Sequence, residues 1–108
     1  MRMWMVNPND LCAQHLLGEH LEIHMLVSCI NQGKKLTGYI DHGLVELDNL
    51  ESRHSSLVEE MNKRGMNHKT PLQDYVIPEI TGRVDVELSK LTLLYRCSNC
   101  RKRRDINE

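Results

Sequence analysis

Apolar residues recur at helical spacing along the first third of the chain. Leu16, Ile23, Leu26, Val27 and Ile30 make one stripe, while His15, Gly18, Glu22 and Met25 fall on another face. Asn7 followed by Pro8 offers an N-cap with proline at the first helical position, and Asn31-Gln32-Gly33 supplies a stop. The pattern therefore predicts a helix over about residues 8–31, roughly 35 Å long at 1.5 Å per residue. Residues 34–43 read as a glycine-punctuated connector, with a short extended piece at 44–47. A second helix is predicted near 50–64, with Leu57, Val58 and Met61 inward, Arg53, Glu60 and Lys63 toward solvent, and Gly65 as a left-handed stop. Residues 67–78 are polar and proline-bearing, hence loop. Residues 86–95 suit a short C-terminal helix, with a strand as the competing assignment. No repeat interrupts this order. The expected architecture is mainly α: a single small domain over residues 1–95, followed by a basic Cys-x-x-Cys tail at 96–108.

Composition narrows the function classes. At 108 residues and 40% hydrophobic, the chain can build one modest core. It has no apolar run of about 18 residues, as a membrane span requires, and no signal-peptide pattern, so a soluble cytoplasmic protein is expected. Four cysteines without any mark of export favour thiols or metal ligands over disulfides. The net charge of −1 conceals an asymmetry: residues 96–108 hold five basic and two acidic residues, a local balance of +3. With no Phe, one Trp and three Tyr, the chain lacks the aromatic platforms on which single-strand binders stack bases.

Three groups of residues carry chemistry. Arg2 is a bulky second residue, so Met1 is expected to keep its α-amine. Amines of that class titrate near about 7.7 to 8.0, against about 10.4 for lysine, and so offer a nucleophile at neutral pH. Next, residues 14–24 crowd three histidines and two glutamates into one helix. His15, Glu19 and Glu22 share one side, and His20 and His24 form an i, i+4 pair that could bind a metal with Glu19. A solvated polar face is the plainer reading. Third, Cys97-Ser98-Asn99-Cys100 is half of a zinc site, with His42, His54 and His68 as further ligands or a partner chain supplying them, or else a pair of thiols or a redox motif. Cys12 and Cys29 lie too far apart along one predicted helix for both to join it.

The series Met1-Arg2, Gln14-His15-Leu16 with Glu19 and Glu22, Gly33-Lys34-Lys35, Arg53, and Lys63-Arg64-Gly65-Met66-Asn67 resembles the phage pyrimidine-dimer DNA glycosylase family of the endonuclease V type, over about residues 1–75. The resemblance implies a small all-α DNA repair enzyme with DNA as its partner, no membrane association and no cofactor required for catalysis. It implies further that the N-terminal α-amine, here at Met1, attacks C1′ of a damaged nucleotide while Glu22 stabilises the sugar and assists proton transfer. Arg2 would hold a phosphate beside the amine, and His15 would orient the amine or Glu22. Lys34 and Lys35 align with a basic loop facing phosphate, and Arg64, with Arg53, Lys63 and Lys69, would extend that surface.

Two departures shape the expectation. The family nucleophile is usually the amine of a threonine, and the two arginines flanking the catalytic glutamate fall here at Leu21 and Met25. Phosphate grip is then weaker or relocated, with Arg101 and Arg103 of the tail as replacements. The resulting expectation is a DNA glycosylase with abasic-site lyase activity on a damaged or modified base. The alternatives are a non-catalytic DNA-binding or protein-interaction module on the same scaffold, and a small metal-binding protein using Cys97 and Cys100, for which structural zinc is the candidate ion.

Overall fold

A computed structural model describes residues 1–68 and 70–107, with the side chain of residue 107 left aside. Among these residues the chain is mainly helical and has no strand. The helices are α1 (Ala13–Asn31), α2 (Thr37–Asp41), α3 (Leu50–Lys63), α4 (Val86–Arg96) and α5 (Ser98–Asn107), with 3-10 turns at Pro8–Asp10 and Leu47–Asn49.

The first helix starts later than its sequence pattern predicts. Asn7 does cap, its side chain accepting from the Asn9 N–H, but what it caps is the 3-10 turn. Leu11 and Cys12 are extended and buried, and α1 begins only after them. Burial of these two side chains outweighs continuation of the helix. Residues 44–47 form no strand. Leu44 meets the N-terminal segment by a single backbone bond from Met3 N–H (2.7 Å), and Leu47 opens a 3-10 turn. The five-residue α2 lies within the predicted connector. The predicted short C-terminal helix forms as α4, capped by Asp85, whose carboxylate accepts from the Leu88 N–H at 3.1 Å, and a further helix, α5, follows it within the stretch read from sequence as a basic tail.

α1 packs against α3, burying Leu16, Ile23, Leu26 and Val27 from one and Leu50, Leu57 and Met61 from the other. Truncating any of these leucines or isoleucines would cost roughly 2–5 kcal/mol through lost transfer energy and a residual cavity. The N-terminal segment belongs to this core, since Met3 and Val6 are fully buried. Residues 66–68 and 70–85 are without regular structure and meet α3 and the Leu47–Asn49 turn. Their course is fixed by Leu47 N–H to Thr81 O (2.8 Å) and by Gly82, whose φ of +84° brings its Cα against the Val45 carbonyl. A Cβ at Gly82 would stand 2.6 Å from that oxygen, so only glycine fits. α5 returns to the chain start, where Arg103 donates to the carbonyl and side-chain oxygens of Asn9 at 3.0 and 3.1 Å.

Candidate active site and metal-ligand clusters

The side of α1 that carries Glu22 meets the N-terminal segment. The Arg2 backbone N–H donates to Glu22 Oε2 at 3.3 Å, putting the carboxylate one residue from the chain's first amine. Met1 itself is half-buried against the core edge. The Arg2 guanidinium lies 3.9 Å above the centroid of the Trp4 ring, a cation–π contact of about 0.5–2 kcal/mol. Trp4 in turn stands edge-on to His15, centroids 5.6 Å apart. Burial first, and then the charge of Arg96, hold the Arg2 guanidinium below the usual arginine value, so two arginines from opposite ends of the chain face the same region. Trp4 and Arg96 were not singled out from the sequence. A lone tryptophan has no periodic partner, and Arg96 sits within an ordinary basic run.

Glu19, three residues before Glu22, points elsewhere. Arg53 binds it bidentately, through Nε at 2.5 Å and Nη2 at 2.9 Å, with both side chains buried, and Arg53 Nη1 donates to Val6 O at 2.6 Å. Arg53 therefore does not face solvent, and the expectation that it extends a phosphate-binding surface is corrected: a charge-assisted pair draws it into the core. Glu60 is buried likewise, accepting from Arg64 Nε at 2.8 Å. The other donors of Arg64 serve the carbonyls of Pro8, Asn9 and Leu11. Arg101 donates to Leu94 O and Tyr95 O at the end of α4. Lys34 and Lys35 are exposed beyond the end of α1. Lys69 lies outside the described residues. Leu21 and Met25 are exposed on α1, at 60% and 46%.

The missing half of the cysteine motif is Cys12 and His15, not His42, His54 or His68. Cys12 Sγ lies 3.2 Å from His15 Nδ1 and 3.9 Å from Cys97 Sγ, and Cys100 Sγ lies 3.6 Å from the same nitrogen. The four ligand atoms fall within 4.8 Å of one another. A tetrahedral zinc with Zn–S near 2.3 Å and Zn–N near 2.0 Å would set sulfurs about 3.8 Å apart and sulfur to nitrogen about 3.5 Å. The two distances to His15 lie on either side of the second value and the Cys12–Cys97 separation is within about 0.1 Å of the first, so the donor set fits a closed Cys3His zinc centre. Burial would raise the Cys97 thiol, but the Cys100 N–H, the sulfurs of Cys100 and Cys12 and the Asn99 N–H outweigh it and hold it below the usual thiol range. Cys100, deeper in the protein, is pushed up to about 12, chiefly by burial. His42 is remote from this centre, its Nδ1 2.7 Å from Gly38 O.

The sequence model of the family described as "Pyrimidine dimer DNA glycosylase" matches residues 1–74. The chain belongs to that family. The match spans the N-terminal segment, α1, α2 and α3, and so includes Met1, Arg2, Glu22 and the Glu19–Arg53 pair. It stops before α4 and α5, so the second half of the Cys3His cluster lies outside the glycosylase match. Comparison with curated proteins and with solved structures gives no match. No helix among the described residues is long and apolar enough to cross a membrane.

Proposed function

We propose that this glycosylase-family protein removes a damaged or modified base from DNA and then cleaves the strand as an abasic-site lyase, with the Met1 α-amine as nucleophile and Glu22 as the acid/base group. The observation that carries the reading is the 3.3 Å contact between the Arg2 N–H and Glu22 Oε2, since it sets a carboxylate beside the one amine suited to attack at neutral pH. The amine nitrogen forms a bond to C1′ as the base departs with the electron pair of the glycosidic bond. Loss of the amine proton and opening of the sugar ring give an iminium. Removal of a C2′ proton then expels the 3′ phosphate by β-elimination, and water hydrolyses the imine to restore the amine. Glu22 stabilises positive charge on the sugar and relays these protons.

Arg2, held against Trp4, and Arg96 make the phosphate grip in this reading, with Lys34 and Lys35 extending it. His15 acts as a positioning residue: its ring supports Trp4 while its Nδ1 completes the cysteine centre. Zinc bound by Cys12, His15, Cys97 and Cys100 would fix the C-terminal helices against the N-terminal segment, a structural role typical of a closed four-ligand site.

Borohydride reduction in the presence of abasic-site DNA tests the proposal. A covalent adduct should map to the Met1 nitrogen and vanish when an uncleaved N-terminal extension turns the amine into an amide. An adduct on a lysine would overturn the assignment. One observation favours a non-catalytic DNA-binding module instead: exposed Leu21 and Met25 stand where the resemblance places phosphate-clamping arginines. That reading requires DNA binding with no trapped adduct.

A further inference from the structure

On the face of α1 turned about 160° from Glu22, His20 and His24 meet His54 of α3 and His68 of the segment that follows it. The Nε2 atoms of all four rings are buried, and none has a hydrogen-bond partner. One such orphan in a native interior calls for an explanation, and four converging on one point call for a common one. Ring-on-ring packing, edge-on in four of the pairs and tilted in His20–His54, accounts for their contact, but it leaves every one of these nitrogens desolvated and unsatisfied.

The geometry points to a second metal centre, in which His20, His24, His54 and His68 bind one zinc-class divalent transition ion through Nε2. The four ligand atoms lie within 4.8 Å of one another, and five of the ring pairs have centroids between 4.8 and 5.1 Å apart. Four imidazoles arranged tetrahedrally around zinc, with Zn–N near 2.0 Å, would hold their ring centres about 5.2 Å apart. The rings thus already stand at ligation distance, and closing the nitrogens onto an ion needs only small rotations.

An all-nitrogen set selects against the hard cations calcium and magnesium, which take oxygen ligands, and suits zinc, cobalt, nickel or copper. Four protein ligands leave no open position, so the centre is structural. Through His68 it ties the start of the segment that follows α3 to the α1–α3 pair. That segment otherwise rests on isolated contacts, such as Asn31 Nδ2 to Asp74 O (3.1 Å) and Glu51 N–H to the Tyr75 hydroxyl (3.3 Å). A path for the ion exists, since His54 and His68 line an open cleft of about 790 Å³. The inference stands independently of the glycosylase reading and of the cysteine centre.

The test loads the metal-free full chain with zinc alone, removes loosely held ion by gel filtration, and combines metal analysis with zinc X-ray absorption. With both centres filled, two zinc ions share five imidazole nitrogens and three sulfurs. If the histidine centre alone holds metal, one zinc shows nitrogen ligands only. Either result supports the inference. A single zinc with a sulfur-rich shell, or no retained zinc, would overturn it. In the variant His68→Gln, whose altered residue lies outside regular structure, one zinc equivalent should be lost, and cobalt bound at the cysteine centre should keep its sulfur-to-metal charge-transfer band. Retention of the full wild-type equivalents by His68→Gln and by His24→Gln would equally overturn it.

Discussion

Arg53 holds Glu19 with two nitrogens and the carbonyl of Val6 with a third, so one side chain fastens α3, α1 and the N-terminal segment together. Glu19→Ala should therefore cost about 3–5 kcal/mol, the scale for stranding one partner of a buried pair. Denaturant unfolding measures this directly. Stability within 1 kcal/mol of the unaltered protein would show that the pair adds little.

Glu22 is half-exposed and makes its contact at the rim. Glu22→Gln should unfold at the same denaturant concentration as the unaltered protein, yet lose lyase turnover by about 10²-fold or more, the usual contribution of a positioned acid/base group. Full turnover in this variant would remove Glu22 from the mechanism.

Basic residues divide by their partners. Arg96→Ala should flatten the salt dependence of DNA binding by about 0.9 in the log–log slope, as loss of one phosphate contact does. Arg64→Ala should instead lower stability and leave the slope alone, because Arg64 caps carbonyls of the chain start. A reversed pattern in salt-titrated binding isotherms would contradict this division.

Cys12→Ser and Cys97→Ser should each release zinc and lower the thermal midpoint, since binding at a structural site is coupled to folding. Because Cys12 sits at the start of α1 and Cys97 just beyond α4, the two losses should not add in the double variant. Additive midpoint shifts would mean that the thiols act separately.

The Asp48 carboxyl is held below its ordinary value of 3.8, first by its hydrogen bond from Arg83 and against the opposing effect of burial. A depressed folded value stabilises the protein above the unfolded value, and that contribution disappears as pH falls through the folded one. Asp48→Asn should therefore narrow the stability difference between pH 5 and pH 2. An unchanged acid limb in the variant would show that the pair is solvated rather than stabilising.

Where apolar residues repeat every three or four positions, the chain disclosed its structure. α3 lies where its stripe puts it, α4 forms where a short C-terminal helix was expected over a competing strand, and the buried side of α1 is the predicted one. The start of α1 was not legible, because Asn7 and Pro8 signal a helical turn without saying that it ends at residue 10, and the burial that extends Leu11 and Cys12 is tertiary. Short α2 has too few residues to display a period. Within the candidate site, the chain start and Glu22 were singled out through family resemblance, whereas the two Cys/His clusters were not. Cys12-x-x-His15 was present in plain sequence, but its partner pair lies 85 residues away. Arg53 and Glu60 were read as surface charges because helical position alone cannot reveal a buried counter-ion.

The contact from the Cys12 N–H to Cys100 Sγ spans 88 residues, and it sets an order on biosynthesis. At roughly 5–20 residues per second, residue 100 is made about 4–18 s after residue 12. Throughout that interval the nascent N-terminal segment lacks its final neighbours, and a thiol that will later be covered stays reachable by cellular oxidants and metals. A ribosome that stalls before α5 leaves Cys12 and His15 without the residues that complete their centre, so the proposed nucleophile's surroundings take their final form only on a chain translated through its last helix.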